Sequence, residues 1–369
     1  MTLNATVCNA TNTQSVEDSN FFNSDGTITW DAHRIGWLVS GIMAILTILL
    51  TTFNIIMHTR NYYRPLEQRQ IIRILLMPPV YATISFFSYR FFRSYTYYEL
   101  VEAVYEALAI AAFLMLLIQF VGESTEEQKQ VLAGKSKRKI PIPFCCWRYR
   151  PGKPYFMYTL KWAVLQYCIF RPLISIAGVI TEVYNVLCPD QYSIHFAAAY
   201  LDSVDFISLT IALYALIAFY ALTRDNLTGK QPLAKFLSIK LIVFFTFYQG
   251  FLFSVLQSHN VIKGTAYWTA TNVADGLQAL CTCVEMVFFA ALMLWSFSSK
   301  DYRAMRGGRP HTNSFKAFLH SQNYWDFIKD TGLALKFFFD YALCRPYTRS
   351  PPQDQFDTAF GVHRNGDYY

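Results

Sequence analysis

Long apolar stretches alternate along this chain with loops that are either strongly basic or almost free of cations. The stretches cover residues 35–57, 71–92, 100–121, 160–183, 200–222, 236–257 and 269–297. Each is close to or above the ~20 residues a helix needs to cross about 30 Å of hydrocarbon. Hydrocarbon supplies no hydrogen bonds, so the backbone must close its own, and lipid-facing segments are restricted to helices and closed barrels. The expected fold is an all-α membrane protein with seven transmembrane helices. Three divisions follow: a tail over 1–34, a seven-helix domain over 35–297, and a second tail over 298–369.

The distribution of Lys and Arg orients the bundle. The first tail holds Arg34 at its edge, loops 94–99 and 184–199 hold no Lys or Arg, and loop 258–268 holds Lys263. By contrast, loop 58–70 carries Arg60, Arg64 and Arg69. Loop 122–159 carries Lys129, Lys135, Lys137, Arg138, Lys139, Arg148, Arg150 and Lys153. Arg224 and Lys230 lie in the next basic loop, and the second tail continues the series to Arg364. Basic loops stay cytosolic, so the amino terminus is expected outside or in a lumen and the carboxy terminus in the cytosol. The formal net charge of +7 is then topological bias plus attraction to anionic lipid. It calls for no nucleic-acid partner.

Residues 1–20 have no apolar core of the kind a cleavable signal peptide requires, so the first span is expected to insert itself. Asn4-Ala5-Thr6 and Asn9-Ala10-Thr11 are glycosylation acceptors by pattern, with Asn4 and Asn9 on the expected luminal side. Asn226-Leu227-Thr228 also matches but falls on the cytosolic side. Eight cysteines form no disulfide framework, since most lie in spans or cytosolic loops. Cys8 and Cys188 are the luminal pair available for a bridge. Cys145 and Cys146, between Phe144 and Trp147 in the basic loop, suit S-palmitoylation, with plain free thiols as the alternative. No Cys/His set has zinc spacing, and no motif calls for a metal or cofactor.

An ordered set of motifs carries a family resemblance. It comprises Pro65-Leu66-Glu67-Gln68-Arg69, Ile72-Arg73-Ile74-Leu75, Met77-Pro78-Pro79-Val80-Tyr81, Phe144-Cys145-Cys146-Trp147, Lys153-Pro154 and Lys161-Trp162. Gln166-Tyr167, Arg171-Pro172, Lys235-Phe236, Lys240 and Cys283-Val284-Glu285-Met286 complete it. From about Arg34 to Tyr302 the chain resembles the organic solute transporter alpha-subunit family and its transmembrane-protein-184 relatives, most closely the fungal members. The resemblance implies a seven-span protein with its amino terminus outside. It implies facilitated diffusion of amphipathic organic anions such as bile acids and steroid conjugates, or of lipids. It also implies a single-span partner subunit or a homo-oligomer. Fungal relatives are linked to the vacuolar membrane, so a vacuolar or endolysosomal location is favoured over the plasma membrane.

Ionisable residues within a bilayer are costly, and each is a functional candidate. Arg171 and Glu285 fall near the middle of the fourth and seventh spans, with polar Gln249 at comparable depth in the sixth. An Arg171–Glu285 pair is expected, either as a structural clamp or as a substrate contact. Pro172 would break the helix ladder beside the charge. An outer cluster is expected from Arg90, Arg93, Glu99, Glu102, Glu106, Asp202, Asp205 and Asp275, either a polar vestibule or a set of interfacial pairs. Arg73, Lys161 and Lys240, with Glu67 near, form a third group at the cytosolic side. This group suits an anionic headgroup or substrate, or ordinary positive-inside anchoring. Pro78-Pro79 should kink the second span.

In the second tail, Phe315, Phe318, Leu319, Trp325 and Ile328 recur at helical spacing, and residues 313–343 are expected to hold an amphipathic interfacial helix. Residues 350–369 have the composition of a disordered end. Trp325-Asp326-Phe327-Ile328 fits the aromatic-x-x-aliphatic pattern that binds ubiquitin-like autophagy proteins, so a membrane scaffold that recruits such a protein is the alternative to transport. A seven-helix receptor fits less well. The third span ends Gln119-Phe120-Val121-Gly122-Glu123, without an acidic-Arg-aromatic triplet, and the seventh ends Trp295-Ser296-Phe297-Ser298, without Asn-Pro-x-x-Tyr. The seventh span also lacks a lysine for a retinal Schiff base. An enzyme is not expected, since neither His-Glu-x-x-His nor Gly-x-Ser-x-Gly occurs. A phosphate-binding loop for ATP is likewise missing.

Overall fold

The structure, a computed structural model, describes residues 30, 32–91, 95–122, 131, 138–139, 148–149, 154–184, 186–187, 195–224, 231–259, 261–264, 270–306, 310–325, 328–329, 332 and 336. In chain order these form α1 (Ala32–Arg60), α2 (Pro65–Leu75), α3 (Met77–Arg90), α4 (Tyr95–Val121), β1 (Arg138–Lys139), β2 (Arg148–Tyr149), α5 (Pro154–Val183), α6 (Ala197–Thr223), α7 (Pro232–Ser258), α8 (Ala270–Ser296), α9 (Lys300–Arg306) and α10 (Ser314–Ser321). Seven spans are long and apolar enough to cross a membrane, α2 and α3 together making the second. The two-residue strands pair antiparallel, with Arg138 opposite Tyr149 and Lys139 opposite Arg148.

Side-chain size decides which way α1 faces. Gly36, Ser40, Ala44, Thr47, Thr51 and Asn54 recur every three or four residues and are buried, while Ile35, Leu38, Ile42, Ile45, Leu49 and Phe53 point outward. Between helices in lipid the driving force is close packing rather than water exclusion, so small residues line the contact. The buried stripe of α1 meets α3 and α8. There Asn54 Nδ2 donates to Met293 O at 3.4 Å, and the His58 ring meets Phe297 O at 2.9 Å.

The proline pair acts as expected, and the break falls just before it. Pro78 and Pro79 have no N–H to donate back along the helix, and the chain turns at Leu76, whose N–H still reaches Ile72 O at 3.2 Å. From Glu67 to Leu75, every residue of α2 but the half-buried Arg69 is buried. The Pro65-Leu66-Glu67-Gln68-Arg69 motif is a joint. Gln68 Nε2 donates to His58 O at 3.1 Å and Asn61 O at 2.8 Å, adding a side-chain donor to carbonyls that the Asn61 and Tyr63 N–H groups also reach. Glu67 accepts from Arg64 at 3.0 Å and from the Tyr302 hydroxyl at 2.8 Å.

Helix α4 is the centre of the bundle. It packs on α2, α3, α5, α6 and α7, and Ala107, Ala109, Ala111 and Ala112 allow the close approach. α5 packs on α4 and α6, whereas α8 packs on α1, α3 and α7. Only 13% of the apolar window of α7 is buried, against 72% of the third span, so α7 is the helix most exposed to lipid.

In the second tail the described residues include the short helix α10, which docks on α1 and α2. Ala317 and Ser321 are buried in that contact and Phe318 packs against the core, while Phe315, Leu319, Trp325 and Ile328 stay exposed. Cys8, Cys145, Cys146, Cys188, Asn4 and Asn9 lie outside the described residues.

Candidate functional site

Charged side chains from successive spans converge inside the bundle. Arg171 on α5 meets Asp205 on α6, Nη1 to Oδ1 at 2.8 Å. Lys240 on α7 faces Glu106 on α4, Nζ to Oε1 at 3.7 Å. The two pairs form one electrostatic unit, because Glu106 also feels the charges of Arg171 and Asp205. Tyr167 stands one turn before Arg171 on the same face of α5 and is 1% exposed. Tyr81 of α3 lies in the field of Glu106, Glu102 and Arg171. Two acids against two bases give a formal charge of zero, which limits the several kcal/mol that each unpaired buried ion would cost. The set retains hydrogen-bonding capacity: Tyr167 Oη and Arg171 Nε are buried and make no hydrogen bond among the described residues.

Local sequence explains how the cluster is held. Gln166 and Ser208 bond reciprocally across α5 and α6, Ser208 Oγ to Gln166 Oε1 at 2.7 Å and Gln166 Nε2 to Ser208 O at 2.8 Å. Cys168 Sγ donates to Ala107 O at 3.0 Å, and Ser175 Oγ to Leu100 O at 3.1 Å. These bonds fix α5 against α6 and α4 on both sides of Arg171.

The pairings differ from the sequence expectations. Arg171 does not meet Glu285, because α5 and α8 pack on different neighbours. Glu285 instead accepts a hydrogen bond from Gln249 across α7 and α8. Lys240 pairs with Glu106 of α4, 3.7 Å away, whereas Glu67, expected near it, takes Arg64 and Tyr302, so Glu106 leaves the expected outer cluster.

That outer cluster separates into several contacts. Asp205 goes to Arg171, Glu102 accepts from Ser85 Oγ at 2.8 Å, and Arg90 lies over the Phe91 ring at 5.2 Å. Asp202 adds its charge to the Asp205 site, and Asp275 lies near the start of α8. Arg93 and the Glu99 side chain fall outside the described residues.

At the basic end, Lys161 is buried on α5 at 5% exposure. Arg73 reaches the tail. Its Nε donates to Ser321 O at 2.9 Å, Nη2 to Asn323 O at 2.5 Å and Nη1 to Gln70 Oε1 at 3.0 Å, with the Tyr324 ring 4.8 Å away.

An apolar crevice adjoins the charge cluster. Phe113 and Leu117 of α4, Leu216 and Tyr220 of α6, and Leu233 and Phe236 of α7 line a cavity of about 240 Å³. Phe236 is one turn before Lys240, and Phe113 two turns after Glu106, so the crevice leads from the ion pair toward the basic end. Sequence reasoning missed Tyr167 and Tyr81 as members of the site. The four-residue spacing of Tyr167 and Arg171 on one helix was the signal available for the first.

The family described as organic solute transporter Ostalpha matches residues 36–302, from the first turn of α1 into α9. The chain belongs to this family. No solved structure matches it. It is an integral membrane protein of a solute-transporter family; the matched segment holds five of the seven spans whole and nearly all of the first and last, with every member of the charge cluster. Within this Ostalpha chain, the motif residues Gln166, Tyr167, Arg171 and Lys240 are the ones that build and brace the cluster.

Proposed function

We propose that the protein is a facilitative carrier of amphipathic organic anions or lipids and that the Glu106–Lys240–Arg171–Asp205 cluster is its polar station. The carrying observation is the unequal fit of the two pairs. Arg171 is held at 2.8 Å, while Lys240 and Glu106 stand 3.7 Å apart beside an apolar crevice. An anionic head that takes the place of Glu106 on Lys240 exchanges one ion pair for another. Lys240 then never stands alone, and the displaced Glu106 falls back on the charge of Arg171, which it already feels, so the cost of an uncompensated charge is reduced at each stage. The apolar body of the solute lies in the crevice between α4, α6 and α7. Arg171 and Asp205 hold the frame.

In this reading the basic end is cytosolic, the membrane is vacuolar or endolysosomal, and a single-span subunit or a second copy completes the carrier. The test is tracer flux of a steroid sulfate into proteoliposomes of the chain purified together with any single-span subunit that accompanies it. Lys240→Gln and Arg171→Ala should each lower flux at least tenfold. Wild-type flux no greater than in protein-free liposomes would sink the proposal.

A second reading rests on Trp325 and Ile328, which are 56% and 59% exposed on the docked tail. A scaffold that recruits a ubiquitin-like autophagy protein would present them. Both are helical here, so strand-type recognition requires this segment to unwind first. Binding of such a protein to the full chain, lost in Trp325→Ala, supports this reading; equal binding by both chains removes it.

A further inference from the structure

After α9 the tail returns to the turn between α1 and α2, and Thr312 is where it is pinned. The Thr312 N–H donates to Arg60 O at 3.2 Å, its hydroxyl donates to Thr59 O at 2.5 Å, and the same oxygen accepts from the Tyr62 N–H at 3.2 Å. Carbonyls at the end of α1 have no donor within their own helix, and Thr312 provides two. Tyr63 Oη holds Pro310 O at 2.7 Å on one side of the pin. On the other side Asn313 caps α10, accepting from the Phe315 and Lys316 N–H groups at 3.1 and 3.4 Å. The far end of α10 is held by Arg73 through Ser321 O and Asn323 O, and by His320 Nδ1 at 3.0 Å from Tyr62 Oη.

The carrier reading gives this joint no task. Its sequence setting supplies one. Arg303, Arg306 and Arg309 recur every three residues and lead to Thr312, with Asn313 and Ser314 following. A hydroxyl three residues after an arginine, in a short segment between helices, is the substrate pattern of arginine-directed protein kinases, whose carboxylates grip the guanidinium.

We propose that Thr312 is a phosphorylation site and that its modification releases residues 310–324 from the α1–α2 turn. The proposal rests on the reading that places the basic end in the cytosol, where ATP and kinases are found. The Thr312 oxygen attacks the γ-phosphorus of ATP and the bond from that phosphorus to the bridging oxygen breaks. ADP departs, and the hydroxyl proton passes to the kinase's base. The product carries about −1.5 to −2 charge and three acceptor oxygens.

In the seat that group is pressed against Thr59 O, which is also an acceptor and has lost the hydrogen that bridged it to Thr312, while the Tyr62 N–H remains as a donor to one of the phosphate's oxygens. Just ahead of the Asn313 cap, the same phosphate is favoured by the amino-terminal dipole of α10. α10 therefore stays helical while it loses its seat. Arg73 loses the Ser321 and Asn323 carbonyls with it, which uncovers α2 just before the Leu76 break. Thr312 is half-buried when docked, so the kinase takes the open form and shifts the population toward it.

The experiment treats the full-length protein in nanodiscs with an arginine-directed kinase and ATP, maps phosphate by mass spectrometry and follows hydrogen exchange of amides 314–322. The expected result is phosphate on Thr312 and exchange at least tenfold faster across α10. Thr312→Glu should reproduce the faster exchange without kinase, and Thr312→Ser should behave as wild type. A Thr312 that stays free of phosphate overturns the proposal, as does a phosphorylated Thr312 with unchanged exchange. A carboxy-terminal tag in sealed vesicles tests the orientation separately: a luminal tag overturns that reading while leaving the kinase result interpretable.

Discussion

At the basic end, Arg73 is enclosed by two tail carbonyls, the Gln70 amide and the Tyr324 ring. Inside the bundle, Lys240 reaches its carboxylate only at 3.7 Å, with the Tyr167 hydroxyl, which makes no hydrogen bond among the described residues, in the same charge cluster. Both cations lie within the matched segment, Arg73 buried and Lys240 half-buried, yet their surroundings differ in kind. Arg73 is a fork whose nitrogens donate to the Ser321 and Asn323 carbonyls and to Gln70 Oε1. Lys240 is a point charge on a flexible stem, and its partner is a carboxylate that another anion can replace. The first arrangement fastens helices together. The second leaves an exchange open. Burial alone does not separate structural charge from working charge; the geometry of the partners does.

The largest expected effect comes from dividing the loose pair. Lys240→Ala leaves Glu106 buried beside Arg171 and Asp205 without its own cation, at a cost of ~3–5 kcal/mol. It should lower the melting temperature and reduce flux to background. Combining Lys240→Met with Glu106→Gln removes both charges at similar volume and should return most of the thermal stability while flux stays at background. A double variant that transports like wild type would make the pair a clamp of the same kind as Arg73. Thermal unfolding in detergent and flux in liposomes, read on the same samples, decide it.

A smaller loss is expected at the basic end. Arg73→Ala strands the Ser321 and Asn323 carbonyls and removes charge-assisted bonds of about 1.5–3 kcal/mol each, before compensation by water. The tail should become sensitive to protease between α9 and α10, with steroid sulfate flux within twofold of wild type. Arg73→Lys should not rescue the docking, because an ammonium cannot serve Ser321, Asn323 and Gln70 in one plane. Flux that falls in parallel with Lys240→Ala would move Arg73 into the transport site.

Hydropathy and charge made the spans and the proline break legible, since a twenty-residue apolar run and a missing N–H act locally. The partners within the bundle were not legible. Pairing Arg171 with Glu285 assumed that equal depth means contact. Depth follows from distance along a helix, but neighbourhood follows from the order of helices around the bundle, which apolar composition does not encode. Small residues were the missing guide: Ala107 to Ala112 mark α4 as the helix others can approach, which places α5 and α7 on it and α8 elsewhere. Glu106 and Asp205 were picked out by their cost in hydrocarbon, and their partners came only with the packing. The docking of the tail was not legible for a related reason. Its helical spacing fits a lipid surface as well as a protein one, and only the bonds from Thr312 and Arg73 distinguish them.

The smallest effect sharpens the same contrast at high pH. Tyr62 lies outside the spans, and burial pushes its phenol up to about 12, against the opposing pull of the Arg69 and Arg73 charges. The phenol is neutral while it bonds Pro65 O and His320 Nδ1. A folded value above the ordinary value near 10 means that Tyr62 contributes to docking fully below about pH 10, and that the contribution is lost as pH rises toward 12. Exchange of the α10 amides, corrected for the intrinsic rise with pH, should therefore accelerate over that window in wild type. In Tyr62→Phe it should be faster from the start and show less acceleration. Comparison with Tyr62→Phe removes the background from other titrating tyrosines and lysines. Equal acceleration in both chains would mean that His320 and Tyr62 merely touch, leaving Thr312 and Arg73 as the fastenings of the tail.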